Sequence, residues 1–123
     1  MTNLWKTERD KSNKFELVPY VKRYLAENAQ LDVRIYVGTD SQSLKRYPDT
    51  GYVTCVAFHL GTLDDFEFYG HGVHTIYKEF KVPKIRDTFR RLWREVDATM
   101  YTAEKLRSSG IHFHGIDLDF NKN

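Results

Sequence analysis

Val18, Val21 and Leu25 recur at spacings of three and four, one face of a helix, which predicts a first helix over residues 15–28. Pro19 fits only if it lies in the first turn, and Asn28 reads as the stop. From residue 32 to 40 the period becomes two. Val33, Ile35, Val37 and Thr39 take one face; Arg34, Tyr36, Gly38 and Asp40 take the other. The β-branched bias suits a central strand, and this strand ends in an acid. A turn-rich stretch with Pro48, Asp49 and Gly51 leads to a second strand over 52–60. After the short turn GTLDD, residues 66–77 read as a third strand, interrupted by Gly70 and Gly72 as at a bulge. Connections this short imply an antiparallel meander.

The strongest periodic signal lies between 83 and 107. Ile85, Phe89, Leu92, Val96, Ala103 and Leu106 share one face, with Thr99 in the gap. Pro83 at the start and Gly110 past the end bound a helix of about seven turns at 3.6 residues each. With Ile85 at zero, Phe89, Leu92, Val96 and Ala103 cluster within about 40° of one direction, and Glu95 falls about 80° away, at the edge of the buried face. Residues 111–119 read as a fourth strand. Phe113, Asp117 and Asp119 share one of its faces; His112, His114, Ile116 and Leu118 share the other. The order α-β-β-β-α-β predicts an α+β fold with a mixed sheet. A right-handed crossover lays the fourth strand parallel to the first, with the two acidic ends as neighbours.

The chain has 123 residues, which fits one domain over 15–123 behind a polar, loose arm, 1–14. Hydrophobic residues make up 41%, enough for a core and against disorder. No apolar run is long enough to cross a membrane, and the N-terminus lacks the apolar region of a signal peptide. The lone cysteine, Cys55, has no internal partner and reads as a buried, inert thiol. These features predict a soluble, cytoplasmic protein. Net charge is only +2, but residues 78–94 carry seven Lys/Arg against Glu79 and Asp87. Lys78, Lys81, Lys84, Arg90, Arg91 and Arg94 are candidates for a phosphate backbone, and the bland alternative is a solvated helix face.

Asp40, Glu95 and Asp117 are the acids this topology can bring together. Three neighbouring carboxylates raise each other's pKa unless a cation neutralises them. Mg²⁺ or Mn²⁺ suits an all-oxygen set, and two such ions can activate a water and stabilise the leaving oxygen of a phosphodiester. Asp119 is a further candidate ligand. Ser41 and Gln42 are candidates to orient Asp40 or to donate to a phosphate. The pairs His71/His74 and His112/His114 lack the cysteines or H-E-x-x-H pattern of a zinc site and read as ordinary histidines. Gly38-Thr39-Asp40-Ser41 lacks the Gly-Lys-Ser/Thr ending of a phosphate loop.

Ile35-Tyr36-Val37-Gly38-Thr39-Asp40-Ser41-Gln42 resembles the VGTDSQ signature of the YkuK-type family of ribonuclease-H-like nucleases. Leu92-Trp93-Arg94-Glu95-Val96 is similar to that family's LWEEV segment, and His114-Gly115-Ile116-Asp117 approximates its HID strand. The resemblance runs from about residue 15 to the end of the chain. It implies a ribonuclease-H-like core, with Asp40, Glu95 and Asp117 as the metal-binding acids. Family members run on past the fourth strand, so it also implies a shortened version lacking the usual C-terminal helix and strand elements. Asp119 and Phe120 stand where the family tends to have Asn and Pro. The expected function is a divalent-metal-dependent nuclease acting on DNA, RNA or a hybrid. The alternative is a non-catalytic module whose uncovered sheet face holds a partner chain or a second copy.

Overall fold

The computed structural model describes residues 4–43, 49–62, 72–83 and 87–116. Its elements are β1 (Leu4–Trp5), β2 (Phe15–Glu16), α1 (Leu17–Glu27), β3 (Leu31–Ser43), β4 (Asp49–Thr62), β5 (Val73–Pro83), α2 (Thr88–Ser108) and β6 (Gly115–Ile116). The main sheet runs in the order β5-β4-β3-β6. β3, β4 and β5 form the antiparallel meander, and β6 lies parallel to β3, pairing Tyr36 with Gly115 and Val37 with Ile116. The predicted crossover and mixed sheet are both present.

Alternation along the strands sorts the sheet into two faces. Ile35, Val37, Val56, Phe58 and Ile76 form the side packed under Leu17 and Val21 of α1 and Leu106 of α2. Pro19 is the third residue of α1, where its missing N–H removes no intrahelical bond. Asn28 ends that helix, its side-chain amide donating to the Tyr24 carbonyl at 2.8 Å. Gly110 ends α2 with φ +83, while Gly110 N donates to Arg107 O and Ile111 N donates to Leu106 O. These two bonds make a Schellman close, which satisfies carbonyls the helix itself leaves open. Ile111 and Leu106 both lie in the core.

Several expectations need correction. The third strand is not 66–77 but Val73–Pro83; residues 66–71 lie outside the described residues. Lys78 and Lys81 therefore stand on a strand, paired with Thr54 and Gly51 of β4, rather than in a loop before the helix. Pro83 ends that strand. α2 begins after Asp87, whose carboxylate accepts from Phe89 N at 2.9 Å. Of the fourth strand, only Gly115–Ile116 pairs among the described residues.

The arm is not loose where it is described. Trp5 is buried in the core, and Lys6 and Tyr77 exchange both backbone hydrogen bonds at 2.9 Å. The following residues reach the sheet face away from the helices. There Lys6, Glu8 and Lys11 border a cavity of about 480 Å³ with Val53, Cys55, Thr75, Tyr77 and Glu79. An indole and a stretch of edge pairing outweigh the polar composition that suggested a free arm.

The largest correction concerns the face that α2 turns to the sheet. Phe89 and Leu92, expected inside, are 72% and 49% exposed. The buried line is Glu95, Thr99, Thr102, Ala103 and Leu106, about 60° round the helix from the predicted one at 100° per residue. The reason is polar. The Thr99 hydroxyl donates to Thr39 Oγ1 at 2.8 Å, and Thr39 shares a 3.0 Å hydrogen bond with Thr54. All three hydroxyls are buried, and their mutual bonds offset the cost of leaving water.

Candidate metal and phosphate site

β3 runs past the pairing with Val37 through Gly38-Thr39-Asp40-Ser41 beneath the N-terminal half of α2 and ends at Ser43. Thr39 and Ser41 share the helix-facing side of this strand, and Asp40 belongs to the opposite side. The threonine chain holds α2 against β3 one turn beyond Glu95. One result is that the Ser41 hydroxyl donates a hydrogen bond to the Glu95 carboxylate.

Glu95 is 6% exposed. Burial pushes its pKa above the usual carboxylate value, and the charge of Asp40 pushes in the same direction. The Ser41 hydrogen bonds and the Arg91 charge oppose that rise. Asp40 is also felt across the sheet by Cys55, whose thiol is raised to about 11, by burial first and then by Asp40. The Asp40 carboxylate thus reaches groups on both sides of the strand end. Among the described residues, neither Asp40 nor Glu95 forms a salt bridge.

Tyr52 had no place in the sequence reading. It pairs with Ser41 across the β3–β4 ladder and stacks on Phe80 at 4.9 Å with planes 7° apart. The ring is buried, yet its hydroxyl meets no hydrogen-bond partner among the described residues, and the same holds for Arg91 Nε. Burial raises the Tyr52 pKa, and the charges of Arg94, Glu95 and Arg91 all act on it. Two polar groups without partners therefore lie beside the Glu95 carboxylate. Only the register opposite Ser41 reveals Tyr52, and a register cannot be read from one strand's composition.

The basic candidates disperse. Arg90 and Arg94 are exposed on α2, and Arg91 is half-buried near Glu95. Lys81 is exposed on β5. Lys78 is half-buried, its ammonium 5.5 Å from the Trp5 ring centroid and 5.9 Å from that of Tyr101. Burial lowers its pKa, with Lys105 adding to the effect. Asp117, Asp119 and Lys84, and the side chain of Gln42, lie outside the described residues.

The histidines behave as ordinary ones where they are described. His114 Nδ1 accepts from Ile35 N at 3.0 Å, and His114 N donates to Ile35 O at 2.7 Å, extending the edge of β3 before β6 begins. His74 Nε2 lies 2.7 Å from the Tyr20 hydroxyl and stacks on Tyr24. Among the described residues no three His, Cys, Asp or Glu gather closely enough to hold a metal ion by themselves. The oxygen donors of Asp40 and Glu95 nevertheless suit a hard cation, which would also relieve the burial of Glu95.

A family described as ribonuclease H-like matches residues 16–122. No significant match appears among curated proteins, and none among solved structures. No helix of the described residues is long and apolar enough to cross a membrane.

Proposed function

The chain belongs to the ribonuclease H-like family, as a member of YkuK type, and from that premise we propose that it is a divalent-metal-dependent nuclease. One observation carries the reading: a buried glutamate on α2 feels the charge of a second carboxylate, Asp40, across the end of β3, and neither has a salt-bridge partner among the described residues. Such a pair costs stability unless a cation joins it. Structural sites seldom keep that arrangement, whereas catalytic sites often do.

In this reading Asp40 and Glu95 hold Mg²⁺ or Mn²⁺ together with Asp117. Asp117 and Asp119 follow Ile116, the last paired residue of β6, in sequence and lie outside the described residues. When bound, the ion supplies charge neutralisation for a phosphate and a more acidic water. Ser41 fixes the Glu95 carboxylate through its hydrogen bond. Arg91 Nε and the Tyr52 hydroxyl, buried and without partners among the described residues, would in this reading donate to a phosphate oxygen. Arg90 and Arg94 add positive charge along the approach.

The test is cleavage of single-stranded and duplex DNA, RNA and hybrid with Mn²⁺ or Mg²⁺, beside Asp40→Asn and Glu95→Gln. Metal-dependent cleavage lost in both variants supports the reading. Cleavage that survives both would assign the activity elsewhere. The alternative, a non-catalytic binding module, draws on the lack of a three-ligand cluster among the described residues. Nucleic-acid binding without cleavage under any metal would favour it.

A further inference from the structure

The outer flank of α2 carries two rows of side chains that lie apart from the proposed carboxylate ligands. Phe89 and Trp93, four residues apart, are 72% and 59% exposed, with ring centroids 6.4 Å apart. Arg90 and Arg94 follow one position on and are also exposed. Each row advances about 6 Å along the helix axis per pair. An exposed tryptophan beside an exposed phenylalanine is unfavourable in water without an occupant.

The charges point to the kind of occupant. Arg90 lies in the first turn of α2, where the helix dipole is positive and the capping Asp87 is the nearest acid, and Arg91 and Arg94 follow in the second. Among the described residues Arg90 and Arg94 form no salt bridge. Arg90 and Arg94 therefore stand without ionic partners among the described residues, next to flat apolar rings. A polyanion with stackable faces satisfies both rows at once: phosphates meet guanidinium groups while bases stack on indole and phenyl. A duplex keeps its bases inside and has no faces to offer the rings.

We propose that Phe89 and Trp93, flanked by Arg90 and Arg94, form a stacking platform for single-stranded nucleic acid. The proposal rests on the nucleic-acid reading above and selects the single strand as its substrate class. It is independent of the metal, because none of the four residues belongs to the carboxylate cluster.

The experiment is anisotropy of a fluorescein-labelled twelve-nucleotide strand, as DNA and as RNA, and of the matching duplex, with the chain in EDTA. The single strand should bind more tightly than the duplex. Trp93→Ala should weaken single-strand binding about tenfold or more while changing duplex binding little. Trp93→Phe should keep most of that affinity. Bound strand should quench the exposed Trp93 and leave the buried Trp5 emission, so Trp93→Phe should lose the quench. Equal binding by Trp93→Ala and the parent, or a preference for duplex, would overturn the platform. So would a sedimenting dimer that Trp93→Asp dissociates, since a second copy would then own this face. Cleavage by the parent chain separates the two proposals. Single-strand binding by the parent with no cleavage in any metal leaves the platform standing and defeats the nuclease. Metal-dependent cleavage of single strands unchanged by Trp93→Ala does the reverse.

Discussion

Ser41, at the end of β3, donates a hydrogen bond to Glu95 on α2, although the two residues lie 54 positions apart. This bond gives a buried carboxylate one neutral partner, and its charge is offset in part by Arg91 but by no salt bridge among the described residues. The electrostatics of the proposed site follow from that imbalance.

Glu95 should oppose stability at neutral pH in metal-free protein. Its folded pKa is raised above 4.5, chiefly by burial and then by Asp40. The stabilising contribution is thus fully present below the unfolded value and is lost as pH rises through the folded one. Glu95→Gln keeps an acceptor for Ser41 and removes the charge. Denaturant unfolding in EDTA at pH 7.5 should find the variant more stable, by on the order of 1 kcal/mol. The gap should close as pH falls towards 4.5. A less stable variant at pH 7.5 would show that Glu95 bears no buried-charge penalty.

Thr39 is the middle of the chain linking Thr99 on α2 to Thr54 on β4. Thr39→Val preserves shape but leaves two buried hydroxyls without that partner. The expected cost is about 1–3 kcal/mol. In a domain of this size it should appear as a melting-point fall of several degrees, read by calorimetry. The same variant should weaken any function of Glu95, since the chain helps set how α2 is rotated.

His114 must be neutral at Nδ1 to accept from Ile35 N. Its pKa lies below the ordinary 6.5, by burial first, then by the charges of His112 and Arg34; Asp32 acts the other way. The stability this histidine contributes is complete above the unfolded value and falls as pH drops through the folded one. The Ile35 amide resonance, followed by nitrogen-15 NMR, should hold steady at neutral pH and move only below 6.5. An amide that shifts well above 6.5 would contradict the assigned acceptor.

Much of this fold was legible from one sequence, for reasons that particular residues make clear. Val33, Ile35, Val37 and Thr39 alternate because one side of β3 is buried, and Gly110 marks a helix end that needs a left-handed residue. Asp40 and Glu95 could be singled out as candidates because a strand end and a helix edge are places where acids stand out. The rotation of α2 was not. Hydrophobicity favoured Phe89 and Leu92, while three hydroxyls and a carboxylate, each needing a buried partner, chose the neighbouring face. The docking of Trp5 and the role of Tyr52 depend on cross-strand neighbours, which no local pattern encodes.

That rotation is open to a simple check. Phe89→Ser should change unfolding free energy by no more than about 0.5 kcal/mol, as befits an exposed site. A loss of about 3 kcal/mol or more, the range for truncating a core phenylalanine, would restore Phe89 to the interior.

Calorimetric titration of the metal-stripped chain with Mn²⁺, beside Asp40→Asn and Glu95→Gln, bears on the proposed metal site without relying on a substrate. Saturable binding by the parent, lost in both variants, is the expected result. No binding up to millimolar Mn²⁺, or binding indifferent to Asp40 and Glu95, would contradict a metal site at the end of β3.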